Sequence, residues 1–511
     1  MSTPLVVGVA FVAILTWLVV RSSTKKPYPP GPKGYPIIGN LLDLNTDPWR
    51  LFANLADKYG EIFHLDVVGQ HIVVLNSLEA ATEVLDRHSS ATSSRAPNIV
   101  LQEYMTNGTT IGFMPYNETW KKVRRISHDA LTRVASVNYD NLRVRESIVL
   151  IDALLQDSSE WQEQLKKEFA SITLSGFFGY PALTSFDDPA FVGIYDFVER
   201  VEKALTPGNY VVEFIPFLKY LPVSLAKWKG DLNVSHEKDY ALFRQLRDNG
   251  VGFAEKSGRN SLAASLAADA QKMGLTIDDE VWLLALLFVG GTDTCSDMMQ
   301  WFFFTMIAHP DVQRKAQEEL DRVVGRSRTP TRADLDHLPY FTAVVRELLR
   351  YRSPAPIGMP HYSTEDSWYK GYLIPKNSIV TFNQWAITHD KEAFGEDAAL
   401  FNPDRYFNGS VGSETLKETK GTGHHGFGFG KRACVGRYFA EDSLNLICAQ
   451  ILWSLNIEAK HKNEKGEPIL PSPNELPPGF AGHPLPFEIQ VNLRFPDARV
   501  VLDNLKESLP A

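Results

Sequence analysis

Cysteine is scarce in this chain of 511 residues: there are three, Cys295, Cys434 and Cys448. They are too few and too scattered for a disulfide framework, which fits a catalytic body in a reducing compartment. Long basic runs are missing as well. With a net charge of −9 and a pI of about 5.9, the chain is not built to bind nucleic acid. No Rossmann or flavin fingerprint, a glycine motif set between a strand and a helix, occurs, so electrons for any redox chemistry must come from another protein. The N-terminus has neither a basic n-region nor a small-residue cleavage site, which argues against a signal peptide.

What is present is ordinary globular material, 44% hydrophobic, 22% charged and 11% aromatic, enough for a large core. Length alone suggests about three domains. The residues assigned below to one site lie between Trp120 and Gly436, which argues for a single body. Leu5 to Val20 is uncharged, Met1 to Thr3 extend it to about the length that spans a bilayer, and Arg21, Lys25 and Lys26 follow. Residues 1–20 therefore read as a single-pass anchor, with Trp17 near an interface and the body on the cytoplasmic side. Residues 21–38 contain Pro27-Tyr28-Pro29-Pro30-Gly31-Pro32, a stiff extended linker, and residues 39–511 are the body. Four Asn-x-Ser/Thr triplets begin at Asn107, Asn117, Asn233 and Asn408; such triplets arise often by chance.

Within the body, Gly60 to Leu75 alternates as a small sheet broken near Gly69, and Ser89 to Pro115 reads as a long loop. Helices are expected from Ile148 to Asn260, interrupted at Pro181, Pro207-Gly208 and Pro216 to Pro222. Ile277 to Ile307 is the longest apolar helix outside the anchor. Further helices are expected from Trp120 to about Val134, Tyr340 to Tyr351 and Val435 to Leu455, with an extended strand over Pro354 to His361 and hairpin and loop beyond Lys460.

Chemistry concentrates in Phe427-Gly428-Phe429-Gly430-Lys431-Arg432-Ala433-Cys434-Val435-Gly436. An isolated cysteine is most often a small buried hydrophobe. A thiolate that holds haem iron needs positive charge and backbone donors, a tight turn and apolar cover. Gly428, Gly430 and Gly436 admit backbone conformations closed to other residues, Arg432 brings charge, and Phe427 can wall off the sulfur. The pattern Phe-x2-Gly-x-Arg-x-Cys-x-Gly, complete here, resembles the haem-binding loop of the cytochrome P450 family.

Three further matches extend the resemblance. Gly290-Gly291-Thr292-Asp293-Thr294 puts two glycines, each worth about 1 kcal/mol against alanine, inside a helix, where they would let it open to a ligand. It is similar to the family's distal-helix signature, in which the acid and threonine organise proton delivery. Cys295 stands where the family has a second Thr or Ser, and reads as structural. Glu347-Leu348-Leu349-Arg350 with Phe401-Asn402-Pro403-Asp404-Arg405 resembles the family's buried charge cluster of Glu347, Arg350 and Arg405. Trp120 and Arg124 share a helix face; on their own they read as a surface pair, and in the family such a pair meets a haem propionate.

The resemblance implies a mainly α fold with a smaller β-rich part and haem b held between the 277–307 helix and the Cys434 loop. It makes Cys434 the axial iron ligand, with Arg432, Trp120, Arg124 and His361 at the propionates and Phe427 and Gly436 beside the sulfur. Asp293 and Thr294 would guide protons. Adjacent His424 and His425 point to different sides and are read as loop. The implied partners are O2, a small apolar substrate, and NADPH acting through NADPH-cytochrome P450 reductase, with cytochrome b5 as a second donor, on the endoplasmic reticulum membrane. Lys121, Lys122, Arg125, Lys431 and Arg437 could form a docking patch, or be solvated surface charge. Gly371 to Asn377 and the short anchor look like fungal members that act on secondary metabolites or aromatic xenobiotics. Phe288, Ile357 and Met359 are candidate cavity residues, and Pro477 to Phe480 would reach the site. Two rivals stand beside this reading: a haem-thiolate isomerase or dehydratase that does not use O2, and a non-catalytic haem-binding membrane protein.

Overall fold

The computed structural model describes residues 26–509 apart from 45–47, 207, 214, 408, 410, 412, 420–421 and 478–481. The expected anchor over Leu5 to Val20 and most of the segment from Pro477 to Phe480 lie outside the described residues. Among the described residues, twelve helices run eleven residues or more: α1 (Pro48–Tyr59), α2 (Glu118–Ala130), α3 (Asp140–Gln156), α4 (Trp161–Phe178), α5 (Pro189–Leu205), α6 (Lys227–Ser257), α7 (Leu262–Lys272), α8 (Ile277–Ala308), α9 (Pro310–Val323), α10 (Pro339–Tyr351), α11 (Arg437–Ser454) and α12 (Ala498–Ser508).

α8 is the axis of the molecule. Thr276 and Asp279 cap its first turn reciprocally, Asp279 N to Thr276 Oγ1 at 3.1 Å and Thr276 N to Asp279 Oδ2 at 2.8 Å, and Asp278 and Glu280 add negative charge at its N-terminus. From Val281 to Phe288 every side chain is buried, so the helix is apolar all round because it is covered all round. α4, α6 and α11 pack along it. It is also the one described helix long and apolar enough to cross a membrane, and its burial marks it as core. Trp161, Trp282, Trp301 and Trp453, each fully buried, fill the layers around it.

The β-rich part is small. β1 (Ile62–Val67) and β2 (Gln70–Leu75) form a hairpin through Val68 and Gly69, with Ile62 opposite Leu75. β6 (Ile379–Phe382) joins β2 in parallel and β3 (His361–Tyr362) joins β6 antiparallel, His361 opposite Val380. β4 (Ser367–Tyr369) pairs with β5 (Tyr372–Ile374), and β7 (Leu455–Ala459) with β8 (Ile489–Leu493). Tyr362 also bridges Ser93 and Ser94, so the four-stranded sheet draws the 89–115 segment toward the Cys434 loop.

The mainly α architecture with small sheets is as expected. Several boundaries differ. α2 stops at Ala130, with a separate turn over Arg133–Ser136. α3 begins at Asp140 rather than near Ile148, and α12 occupies a tail expected to be hairpin and loop. The 89–115 loop contains short helical segments over Ser89–Thr92 and Ile99–Met105. The expected strand over Pro354 to His361 is strand at His361 alone: Pro354, Pro356 and Pro360 cannot donate to a ladder and Gly358 sits at φ +60°. The 210–221 segment is a series of short turns with Val211, Phe217 and Tyr220 exposed.

Glu347, Arg350 and Arg405 meet as expected, and all three are fully buried. Arg350 donates to both Glu347 oxygens at 2.8 Å and Arg405 Nε to Oε1 at 2.9 Å. The remaining guanidinium donors reach the carbonyls of Thr388, Ala398, Leu400, Phe394 and Asp397 and, from Arg405, the Asp397 carboxylate at 2.9 Å. Two side chains thus tie α10 to the segment that leads into the Cys434 loop.

Candidate functional site

The loop that presents Cys434 is closed by its own backbone. Cys434 N donates to Phe427 O at 2.8 Å, and Gly428 N to His425 O at 2.9 Å. Gly428 and Gly430 adopt φ +75° and +59°, and a Cβ on Gly430 would collide with the carbonyl oxygen of Leu85. Both glycines are therefore needed for conformation. Gly430→Ala is expected to cost about 1–2 kcal/mol for the left-handed backbone alone and more for the collision. A haem titration of the variant should show weakened loading.

Gly436 departs from expectation. Its φ of −86° suits any residue, and nothing lies within 4 Å of where its Cβ would stand. Its contribution is open space, together with an N–H bonded to the Cys434 sulfur. Cys434 itself is exposed to solvent although protein surrounds it closely. That surrounding raises its thiol, opposed by the Gly436 N–H and by the Arg124 and Arg437 guanidiniums. Arg124 Nη2 donates to Ala433 O at 2.6 Å, which fastens α2 to the loop. Phe427 is half-buried and gives its carbonyl to Cys434. α11 begins three residues on, at Arg437, with its N-terminus toward the sulfur.

On the other side of this space is the middle of α8. Phe439, in the first turn of α11, lies 3.7 Å from where a Cβ on Gly291 would be, so the two elements touch at the motif. Gly290 and Thr294 are exposed although the helix around them is buried, and a Cβ on Gly290 would meet nothing within 4 Å. The helix does not open at the glycines: it stays α-helical throughout, and Thr294 Oγ1 donates to Gly290 O at 2.7 Å. Thr292 turns away, 3.0 Å from the Thr173 hydroxyl. Asp293 also turns from Thr294, toward Tyr195 on α5. Its carboxyl is pushed up to about 7, first by burial and then by Glu202. The folded chain therefore holds a proton there that the unfolded chain releases near 3.8, and stability falls as pH rises between those values. In Asp293→Asn the drop in Tm across that window should shrink by about 4 °C; thermal unfolding followed at a series of pH values checks it.

A third group closes the edge nearest the sheet. Arg432 stacks on Trp120, 4.3 Å from the ring centroid, and donates to Ser93 O at 2.6 Å and Met114 O at 2.8 Å. Trp120 Nε1 donates to Ile111 O at 3.0 Å. His361 is buried, its Nδ1 2.9 Å from Thr92 O, and burial and Arg95 keep it well below the usual histidine range. Arg95 was not anticipated. It sits in an aperiodic polar stretch without a motif, and only the fold shows its guanidinium donating to Met359 O at 2.9 Å and Pro360 O at 2.7 Å. Burial brings Arg432 down to about 8, with Arg95 and Arg124 adding repulsion, and Arg95 down to about 9. Among the described residues no carboxylate pairs with Arg95, Arg124 or Arg432. Three guanidiniums converging without an anion, beside an exposed thiol and a glycine face of a core helix, suit a flat macrocycle with an apolar body and two carboxylates.

Other expectations are redistributed. Phe288 is fully buried with its ring stacked on Phe178, and Ile357 is half-buried against Phe52 and Phe63. Met359 is half-buried and reaches Gly112. His424 is buried with its Nδ1 accepting from Gly426 N, and His425 stacks on Phe429. Cys295 is buried, its thiol pushed up to about 12 by burial, which leaves it unreactive. Lys121, Lys122, Arg125 and Lys431 are exposed; Arg437 is half-buried, bonded to the Tyr438 hydroxyl at 2.7 Å.

Comparison with known proteins agrees with this geometry. Residues 29–491 match the family model described as cytochrome P450. A cytochrome P450 monooxygenase of Armillaria gallica is 39% identical over 98% of each chain. Cytochrome P450 monooxygenase 58 of Postia placenta is 37% identical over 96% of this chain and 93% of its own. Cytochrome P450 monooxygenase iboC of Amanita muscaria is 33% identical over 98% and 97%. The chain belongs to the cytochrome P450 family, as a monooxygenase of the haem-thiolate type.

Proposed function

We propose that this protein inserts one atom of dioxygen into a small apolar substrate, with haem b ligated by Cys434 and electrons drawn from NADPH through NADPH-cytochrome P450 reductase, cytochrome b5 serving as a second donor. The observation that carries the reading is the exposed Cys434 sulfur beside the exposed Gly290–Thr294 face of α8, rimmed by unpaired guanidiniums. Haem with a thiolate ligand supplies the oxygen chemistry when bound. The chain's own residues do the rest. Gly436 N–H, Arg124 and Arg437 favour the thiolate; Arg432, Arg95 and His361 receive carboxylates; Thr294 holds a hydroxyl at the cleft. Lys121, Lys122, Arg125 and Lys431 surround the Cys434 loop with positive charge suited to an acidic electron donor. Residues 39–511 act as one catalytic body, anchored through residues 1–20 to the endoplasmic reticulum membrane, with the exposed Val211, Phe217 and Tyr220 resting on it. Terpenoid or aromatic secondary metabolites and xenobiotics are the substrate classes we propose, on the resemblance of Gly371 to Asn377 and the short anchor to fungal members.

The test is turnover of the full chain with the reductase and NADPH under isotopically labelled dioxygen. One labelled atom should enter the product for each NADPH oxidised. Product formed equally well without dioxygen would replace this reading with that of an isomerase or dehydratase.

A further inference from the structure

Away from the Cys434 loop, a cleft of about 580 Å³ lies between α1 and the short helix Gln384–Thr388, a volume in the range of small-molecule sites. None of the described residues that line it belongs to the haem site. One wall is a row of rings. Trp49 lies 5.4 Å from Trp385, and Trp385 stacks on His389 at 4.1 Å and 10°. The row carries no charge of its own: His389 Nδ1 donates to Trp385 O at 2.8 Å and its Nε2 accepts from Arg352 at 3.2 Å, which is the neutral tautomer. Burial and Arg352 hold that ring well below the usual histidine range.

The other wall is one stripe of α1. Arg50, Asn54 and Asp57 follow at helical spacing, and Ala53 leaves room between them. Three carboxylates, Asp57, Glu61 and Asp390, line the cleft against one guanidinium. That guanidinium, Arg50, lies over Trp49 at 5.0 Å, and Glu61 is paired with Lys370 at 2.9 Å. Asp57 is exposed and has no hydrogen bond or ion pair among the described residues. Asn76, near the Glu61 end, is 7% exposed. Its Nδ2 faces Val74 O at 3.5 Å, which fixes the orientation of the amide, and its Oδ1 has no hydrogen-bond partner. An acceptor buried in that way costs about 1–3 kcal/mol until an N–H or O–H reaches it. The cleft thus presents flat apolar surface together with unspent acceptors and negative charge.

We propose that this cleft is a second ligand site, for an organic cation made of a flat apolar ring and an N–H-rich arm of the guanidinium or amidinium class. The ring rests on Trp385, and the arm points toward Asp57 and Asn76. Charge complementarity selects the cation: an anionic ligand would meet Asp57 and Asp390, and a neutral one would gain little from them. Aromatic faces attract the same positive charge. The site does not depend on the function proposed above.

Calorimetric titration of the haem-loaded full chain with phenethylguanidine tests this. A guanidinium keeps its proton at neutral pH, so it does not ligate iron and the Soret band should stay in place. Binding is expected with a Kd below about 1 mM. Phenethylurea, the neutral isostere, and 3-phenylpropanoate should each bind at least about 10-fold more weakly. Asp57→Asn, a change on the exposed face of α1, should weaken the guanidine by about 10-fold and leave the urea as it was; Trp385→Ala should weaken both. Four results would each overturn the proposal: no binding up to about 10 mM, equal affinity for the urea, unchanged affinity in Asp57→Asn, or a Soret shift that saturates with the calorimetric signal and so places the probe at the haem.

Discussion

Cys434→Ala is expected to abolish the red-shifted Soret band of the reduced carbon monoxide complex and to lower turnover by roughly 10³-fold or more, the scale of losing the group on which a reaction depends. Among the described residues no nearby side chain is placed to take over. His424 is buried, brought down to about 3 by burial and engaged with Gly426 N. His361 is engaged with Thr92 O, and Cys295, though near enough to Cys434 to feel its charge, is buried with a raised thiol. The fold itself should survive, because the Cys434 side chain is exposed and its backbone N–H, which closes the loop on Phe427 O, is retained in alanine. Far-UV circular dichroism should therefore match wild type while the band is lost. A Cys434→Ala protein that kept the band would refute thiolate ligation by this residue.

Glu347→Ala should have the opposite profile, losing the fold and haem loading together. One carboxylate compensates two guanidiniums that are wholly withdrawn from water. Removing it leaves both without a shared anion, and breaking one buried pair already costs about 3–5 kcal/mol, against a total stability of about 5–15 kcal/mol. Asp397 still faces Arg405 at 2.9 Å, whereas Arg350 retains only carbonyl partners. Glu347→Gln keeps the shape and one acceptor oxygen and should be intermediate. Thermal unfolding and haem content of the two variants check this, and a Glu347→Ala protein with wild-type Tm would show that the cluster is dispensable.

The two residues differ in how they could be read. Cys434 is legible in the chain because its needs are local: glycines for a tight loop, an arginine two residues before it, a helix just after. The α8 core is legible for a similar reason, since an apolar run of that length ends up buried wherever it lies. Arg95 is not legible, because its surroundings come from Gly112, Met359 and Pro360, and no local spacing encodes contacts across such separations. Phe288 misled because an apolar helix has no marked side; Phe178 decides which way it faces. Asp293 and Thr294 are neighbours in the chain yet point apart, since successive helical residues are turned by about 100°.

By itself, then, the amino-acid sequence determined the class of chemistry and the helices that frame the Cys434 loop, because those depend on short patterns of conformation and polarity. The tertiary structure alone decided which arginines converge without an anion, which hydrophobic side chains are core, and that Asp293 turns toward Tyr195. Those outcomes depend on which distant segments pack together, and burial, not spacing, sets the charge state of the groups they enclose.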